Sequence, residues 1–165
     1  MKILAVQSRM GIGDTVIFLP FIKALSKKFN SPISILVKEN SKANQYLHQT
    51  KYIDKILTLE RDNKTNNRHG GFFGIFKLAN DLKKYKFDKI FIFNSSLRFN
   101  LVAKISGIPQ IYQYPLFSKN KQHIIEAPKK FLKENLDLDI NEDPEVQIDS
   151  NLISKAAEKF QIDKN

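Results

Sequence analysis

The 165 residues predict an α/β fold built on a doubly wound, mostly parallel sheet. Three observations carry that expectation. Short runs rich in β-branched and aromatic residues alternate with longer amphipathic runs, which is the pattern of repeated βα units. The short runs are almost continuously apolar, as strands covered on both faces are. A glycine turn, Gly11-Ile12-Gly13-Asp14, joins the first strand-like run to the first helix-like one, where open α/β sheets turn from strand to helix.

Taken in order, the strands are expected at Lys2–Gln7, Ile33–Val37, Lys55–Leu59, Lys89–Phe93 and Gln110–Tyr112. Between them the helical period predicts Thr15–Phe29, Lys42–Gln49, Phe72–Lys84 and Leu97–Ser106. Asp14 and Ser41 are placed to cap the first two helices, because their side-chain oxygens can accept N–H groups left unpaired in a first turn. Gly107 and Pro109 are suited to close the helix ending near Ser106. Pro20 conflicts with an unbroken first helix, since it lacks a donor and clashes with the carbonyl four residues earlier. A kink or a late helix start is expected there. Beyond Tyr112 the segment Tyr114–Lys121 reads as a loop, Ile124–Asn135 as a helix and 136–148 as an extended connector. Residues 151–160 then form an amphipathic helix with Leu152, Ile153, Ala156 and Phe160 on one face.

The domain reading follows: residues 1–135 form one Rossmann-like unit, and 136–165 form a connector and first helix leading onward. The chain has no cysteine, which excludes disulfides, thiolate metal sites and a cysteine nucleophile. His48, His69 and His123 lack ligand spacing, so no metal is assigned. Neither the first apolar run nor Val16–Ile22 is long enough for a signal-peptide core or a bilayer span, so the expected compartment is the cytoplasm. The net charge of +10 permits an anionic partner. It is carried by 23 lysines and only four arginines, alongside 20 isoleucines and 14 asparagines, a bias that an A+T-rich genome also produces. Neither an Arg-rich segment nor an RNP-like aromatic strand supports nucleic-acid binding.

The glycine turn carries the chemistry. It is neither a dinucleotide fingerprint, since Val16 stands where G-x-G-x-x-G needs glycine, nor a P-loop. One reading is structural: two glycines permit a tight reversal and Asp14 caps a helix. The other is catalytic. Gly11 and Gly13 clear space for a substrate, and Asp14, at a helix N-terminus that suits a negative charge, accepts a proton from it. Arg9 and Arg98 fall at carboxyl ends of strands, where they either grip an acceptor phosphate or carboxylate or remain solvated surface charge. Asn94, Ser95 and Ser96 either hydrogen-bond acceptor hydroxyls or build an ordinary turn. The long basic segment Glu60–Phe73 reads as a flap over an anionic acceptor or as a polar loop. Most aromatics, including Phe18, Phe21, Phe91 and Phe93, read as core.

Met1–Val6 followed by Gly11-Ile12-Gly13-Asp14, then Leu19-Pro20, Ala24-Leu25 and Phe29, resembles the N-terminal signature of glycosyltransferase family 9. So does the block Tyr85–Asn94 with Ser96-Leu97-Arg98 and Ala103–Pro109. This family includes the heptosyltransferases of the lipopolysaccharide inner core. The resemblance implies a GT-B architecture, whose N-terminal domain binds the acceptor and whose second domain binds a nucleotide-sugar such as ADP-heptose. It implies inversion at the anomeric carbon without a metal or other cofactor, with Asp14 as the general base. The expected partner is an anionic glycolipid or saccharide acceptor, with peripheral association at the inner membrane and no nucleic acid. The donor-binding residues are expected on a second domain, so this chain reads as a fragment or split gene product that transfers little sugar alone. The alternative is a non-catalytic carbohydrate-binding or scaffold domain.

Overall fold

The computed structural model describes residues 1–8, 11–61, 67–115, 124–146 and 150–160. Five parallel strands form one sheet: β1 (Ile3–Val6), β2 (Ile33–Lys38), β3 (Ile53–Leu59), β4 (Lys89–Ile92) and β5 (Gln110–Gln113). Their spatial order is β3-β2-β1-β4-β5, so the chain winds outward in one direction from β1, then crosses back to continue on its other side. The α/β class, the parallel sheet and all five strands agree with the sequence reading, with shifts of one or two residues at the ends.

Alternation along each strand explains why both faces are apolar. Ile3 and Ala5 of β1, Ile33, Ile35 and Val37 of β2, and Phe91 of β4 point to one layer. Leu4, Val6, Leu36, Ile90 and Ile92 point to the other. The first layer is covered by α2 (Leu19–Phe29) through Leu19, Phe21, Ile22 and Leu25, and by α6 (Glu126–Leu136) through Phe131 and Leu132. The second is covered by α4 (Phe73–Lys83) and α5 (Leu97–Ile105) through Leu78, Leu82, Phe99 and Val102. Each fully buried Leu, Ile or Phe adds about 1.5–3 kcal/mol over its exposed state. Aromatic edges order the first layer: Phe91 stacks on Tyr112 at 4.6 Å, and Phe93 meets Phe18 and Phe131 edge-on at 5.3 and 5.4 Å. β3 is an outer strand and shows it, because Asp54 and Lys55 are exposed and sit where the β2–β3 register slips.

The helix expected over 15–29 is two helices. The first, α1, spans Ile12–Ile17, and α2 begins after Phe18. Pro20 takes the second position of α2, where its missing N–H has no intrahelical partner to lose. Asp14 does not cap α1. Gly11 is the capping residue and Asp14 lies in the first turn, because the helix starts at Ile12 rather than at Thr15. The second expected helix shortens to α3 (Ala43–Tyr46) after a 3-10 turn over Glu39–Ser41, and Ser41 Oγ accepts the Ala43 N–H at 3.3 Å. Gly107, at φ 76°, closes α5 with its N–H on the Lys104 carbonyl at 3.0 Å, as expected.

The described part of the connector, residues 137–146, is extended and lies along α2. Ile140 is buried, and Leu138 and Val146 pack on the first layer. Glu142 joins it to α2 by pairing with Lys27 and, at 3.2 Å, with Lys23. A short helix, α7 (Ser150–Phe160), follows, with Leu152, Ile153 and Phe160 exposed.

The Lys27 hydrogen bond, and after it the contacts from Lys23, hold the Glu142 carboxyl below its ordinary value of 4.5. A carboxyl lowered in the folded state stabilises it above the ordinary value and ceases to do so as pH falls through the lowered one. Glu142→Gln is therefore expected to lower the melting temperature at neutral pH, with the gap to wild type closing as pH drops below 4.5. A gap that persists into strong acid would contradict this docking of the connector.

Candidate functional site

The crossing back of the chain defines the site. β1 is paired with β2 on one side and β4 on the other, and the connections leaving β1 and β4 run in opposite directions. In open parallel sheets that arrangement leaves a crevice beyond the carboxyl ends of the two strands. The glycine turn leaves β1 there, and Asn94-Ser95-Ser96 leaves β4 there. The two are tied across the crevice by a hydrogen bond of 2.7 Å from Asn94 Nδ2 to Ser8 Oγ.

The two glycines have different roles. Gly11 sits at φ 107°, ψ 163°, a conformation nearly closed to residues with a side chain, and allows the strand to reverse into α1. Gly13 is helical and exposed, and a Cβ added to it would meet nothing within 4 Å. Its backbone does not require glycine, so what it supplies is open space. Asp14 lies between them and Thr15, whose buried hydroxyl donates to the Gly11 carbonyl at 3.0 Å. Buried Gln7, the residue after β1, donates its Nε2 to the Asp14 carbonyl at 3.3 Å, which ties the first helical turn to the strand end. The Asp14 carboxylate is half-buried, and among the described residues it makes no hydrogen bond or ion pair. A carboxylate fixed by its backbone, with free oxygens at the mouth of a crevice, can accept a proton from a hydroxyl brought to it.

The other expected site residues divide. Asn94 and Ser96 come to the crevice, but their side chains shape it. Asn94 Oδ1 accepts the Ser96 N–H at 2.6 Å, and Ser96 Oγ caps α5 by accepting the Arg98 N–H at 3.4 Å. Gln113, at the end of β5, fixes the same turn with two bonds of 2.9 Å from its Nε2 to the carbonyls of Asn94 and Ser96. Arg98 is turned to its own chain: its guanidinium donates to the Gly71 carbonyl at 2.7 Å and to the His69 carbonyl. Arg9 lies outside the described residues, as do residues 62–66 of the expected flap.

The described end of that flap is pinned. His69 is buried, accepts the Glu60 N–H on Nδ1 at 3.0 Å and meets Asp81 of α4 through Nε2 at 3.0 Å. The Glu60 bond fixes the tautomer, so Nε2 carries the proton given to Asp81. Arg68 reaches the other Asp81 oxygen at 2.7 Å. These groups line a pocket of about 200 Å³ with Leu57, Leu78 and Tyr85. Gln7 and Gln113 carry no signal in the sequence, and His69 shows there only as one of three scattered histidines, because each acts through partners that only folding brings near. Among the described residues no three His, Asp or Glu side chains gather as metal ligands.

An α/β domain with a carboxylate at its sheet switch point is the class this geometry defines. No family model matches the chain, and no curated protein matches it in sequence. Its fold, however, is shared with solved glycosyltransferases. It superposes on a glycosyl transferase family 9 structure from Veillonella parvula with a TM-score of 0.73 at 18% identity, covering 97% of this chain and 49% of that one. It superposes on E. coli ADP-heptose lps heptosyltransferase II with a TM-score of 0.64 at 15% identity, over 99% and 52% of the two chains. A third, E. coli heptosyltransferase WaaC with ADP-2-deoxy-2-fluoro heptose, gives 0.56 at 11% identity, over 86% and 50%. The chain therefore spans about half the length of these structures and has the fold of that half.

Gly11→Ala is expected to cost about 1–3 kcal/mol of stability, because its φ disfavours any side chain. Gly13→Ala should leave stability unchanged or raise it by up to about 1 kcal/mol, since alanine is the better helix former. Urea unfolding of both variants checks the division of roles; equal losses would contradict it.

Proposed function

We propose that this chain is the acceptor-binding half of an inverting glycosyltransferase of the heptosyltransferase kind, with Asp14 as its general base. Residues 1–135 hold the acceptor in the β1/β4 crevice, and residues 136–165 lead toward a donor-binding domain of GT-B type. The observation that carries the reading is the Asp14 carboxylate, unpaired among the described residues, at the switch point of a fold shared with family 9 glycosyltransferases.

The chemistry follows from that placement. An acceptor hydroxyl attacks the anomeric carbon of the nucleotide-sugar while the bond from that carbon to the diphosphate breaks. Asp14 takes the hydroxyl proton as the new glycosidic bond forms, and the nucleoside diphosphate leaves with the bonding electrons. Attack opposite the leaving group inverts the anomeric centre. Gly11 and Gly13 let the sugar approach the helix turn, while Asn94 and Ser96 keep the facing wall in shape. Arg9, two residues before Gly11, supplies positive charge for an acidic acceptor. The donor nucleotide-sugar, such as ADP-heptose, belongs to the second domain, and the acceptor is an anionic glycolipid or saccharide at the cytoplasmic side of the inner membrane. Among the described residues no helix is long and apolar enough to cross a membrane.

With a donor-binding domain supplied, Asp14→Asn is expected to lower the transfer rate by about 10²–10⁴-fold, the usual contribution of a positioned base. Acceptor affinity measured by calorimetry should change little, since the amide keeps the size of the carboxylate. A variant that turns over at the wild-type rate would overturn the assignment of the base. A chain that binds no saccharide in either form would overturn the acceptor site.

A further inference from the structure

The layer formed by α4 and α5 carries an apolar surface that the fold does not use. Phe72, Phe73 and Phe76 are 68, 76 and 48% exposed, and Leu97, Leu101 and Ile105 of α5 are 44, 37 and 43% exposed. The Phe72 ring meets both Phe73 and Phe76 edge-on, with centroids 6.0 and 5.6 Å apart, so the three form one cluster. The two helices run side by side in the same direction. Arg98 at the start of α5 is bonded to Gly71 before α4, and Ser106 after α5 donates to the Ala79 carbonyl of α4 at 3.1 Å. Helical spacing puts Phe72 and Phe76 on the α4 flank that carries Ala79 and so faces α5, while Leu97, Leu101 and Ile105 fall at i, i+4 and i+8 on one stripe of α5. Contiguous apolar surface of this kind marks an interaction site.

Charge selects the occupant. Lys77 and Lys83 of α4 and Lys104 of α5 are exposed on the same two helices. The only acid on either helix, Asp81, is already engaged by Arg68 and His69. Aromatic residues suit either kind of partner, but protein–protein interfaces are depleted in lysine, whereas phenylalanine and leucine beneath a lysine rim suit an interface with anionic lipid. Lysine stems lie along apolar surface while their ammonium groups reach headgroup phosphates.

Resting on the membrane-side acceptor of the proposed function, we propose which surface meets the membrane: the exposed face of α4 and α5 docks on an anionic lipid bilayer, with Phe72, Phe73 and Phe76 entering the headgroup boundary. The phenylalanines lie at the N-terminal end of α4, which follows β3 and therefore stands at the carboxyl edge of the sheet, the edge that holds Asp14. Docking turns that edge toward the lipid. The surface is separate from the base, so membrane binding and sugar transfer can fail independently.

The test is flotation of the full chain with vesicles of phosphatidylcholine alone or with phosphatidylglycerol added. Because the net charge of +10 attracts anionic vesicles by itself, the informative variant keeps the charge: Phe72→Ser, Phe73→Ser and Phe76→Ser together. These side chains are exposed, so the variant is expected to fold, and its urea midpoint checks this. The expected result is preference for phosphatidylglycerol vesicles, a loss of roughly tenfold or more in partitioning for the triple variant, and no loss for Leu152→Ser, Ile153→Ser and Phe160→Ser in α7. Absence of vesicle binding would overturn the proposal, as would equal binding by the phenylalanine variant. So would a dimer in sedimentation that the same substitutions dissolve, since a second copy would then cover the face.

Discussion

Everything at the candidate site depends on one backbone event, the reversal of the chain from β1 into α1 at Gly11. Its φ of 107° brings the first turn of α1 across the carboxyl end of the central strand. Thr15 and Gln7 then lock that turn, one through the Gly11 carbonyl and the other through the Asp14 carbonyl. The position of Asp14 is therefore set by main-chain geometry, and its side-chain oxygens remain available. A carboxylate used as a cap would have its oxygens committed to local amides and would be a poor base.

The rest of the fold protects that geometry. β1 is the middle strand, covered on both faces, and Ile3, Leu4, Ala5 and Val6 are all buried. Its neighbours hold it in register, Val6 opposite Leu36 on one side and Ile92 on the other. On the β4 side, Asn94, Ser96 and Gln113 form a bonded wall, and Arg98 joins that wall to the loop before α4. The β4 bank of the crevice is thus held by side-chain bonds to its own main chain. The apolar face of α4 and α5 lies outside this framework, which is why its phenylalanines can serve another surface without disturbing the site.

Much of the fold was legible in the sequence because it rests on local pattern. Continuous apolar runs gave the parallel strands, and Pro20 gave the break between α1 and α2. Gly107 gave the end of α5. The start of α1 is not legible because Gly13 is a poor helix former and Asp14 a favoured cap, while the bonds that hold the turn helical, Thr15 to the Gly11 carbonyl and Gln7 to the Asp14 carbonyl, leave no sequence pattern. Arg98 was read as a ligand group because its place at a strand end is visible, while its carbonyl partners 27 and 29 residues away are not. The His69–Asp81 pair and Gln113 were missed for the same reason. The aromatics read as core, Phe18, Phe21, Phe91 and Phe93, are all buried, whereas the exposure of Phe72, Phe73 and Phe76 is not revealed by spacing.

In the proposed function the Asp14 carboxylate meets an acceptor hydroxyl in the β1/β4 crevice. A crystal structure of the chain with a phosphorylated saccharide bound shows whether it does. The expected result is a sugar hydroxyl within about 2.6–3.2 Å of an Asp14 oxygen, beside Gly13 and facing Asn94. A saccharide seated elsewhere, or an Asp14 side chain folded back onto the amides of its own helix, would contradict it.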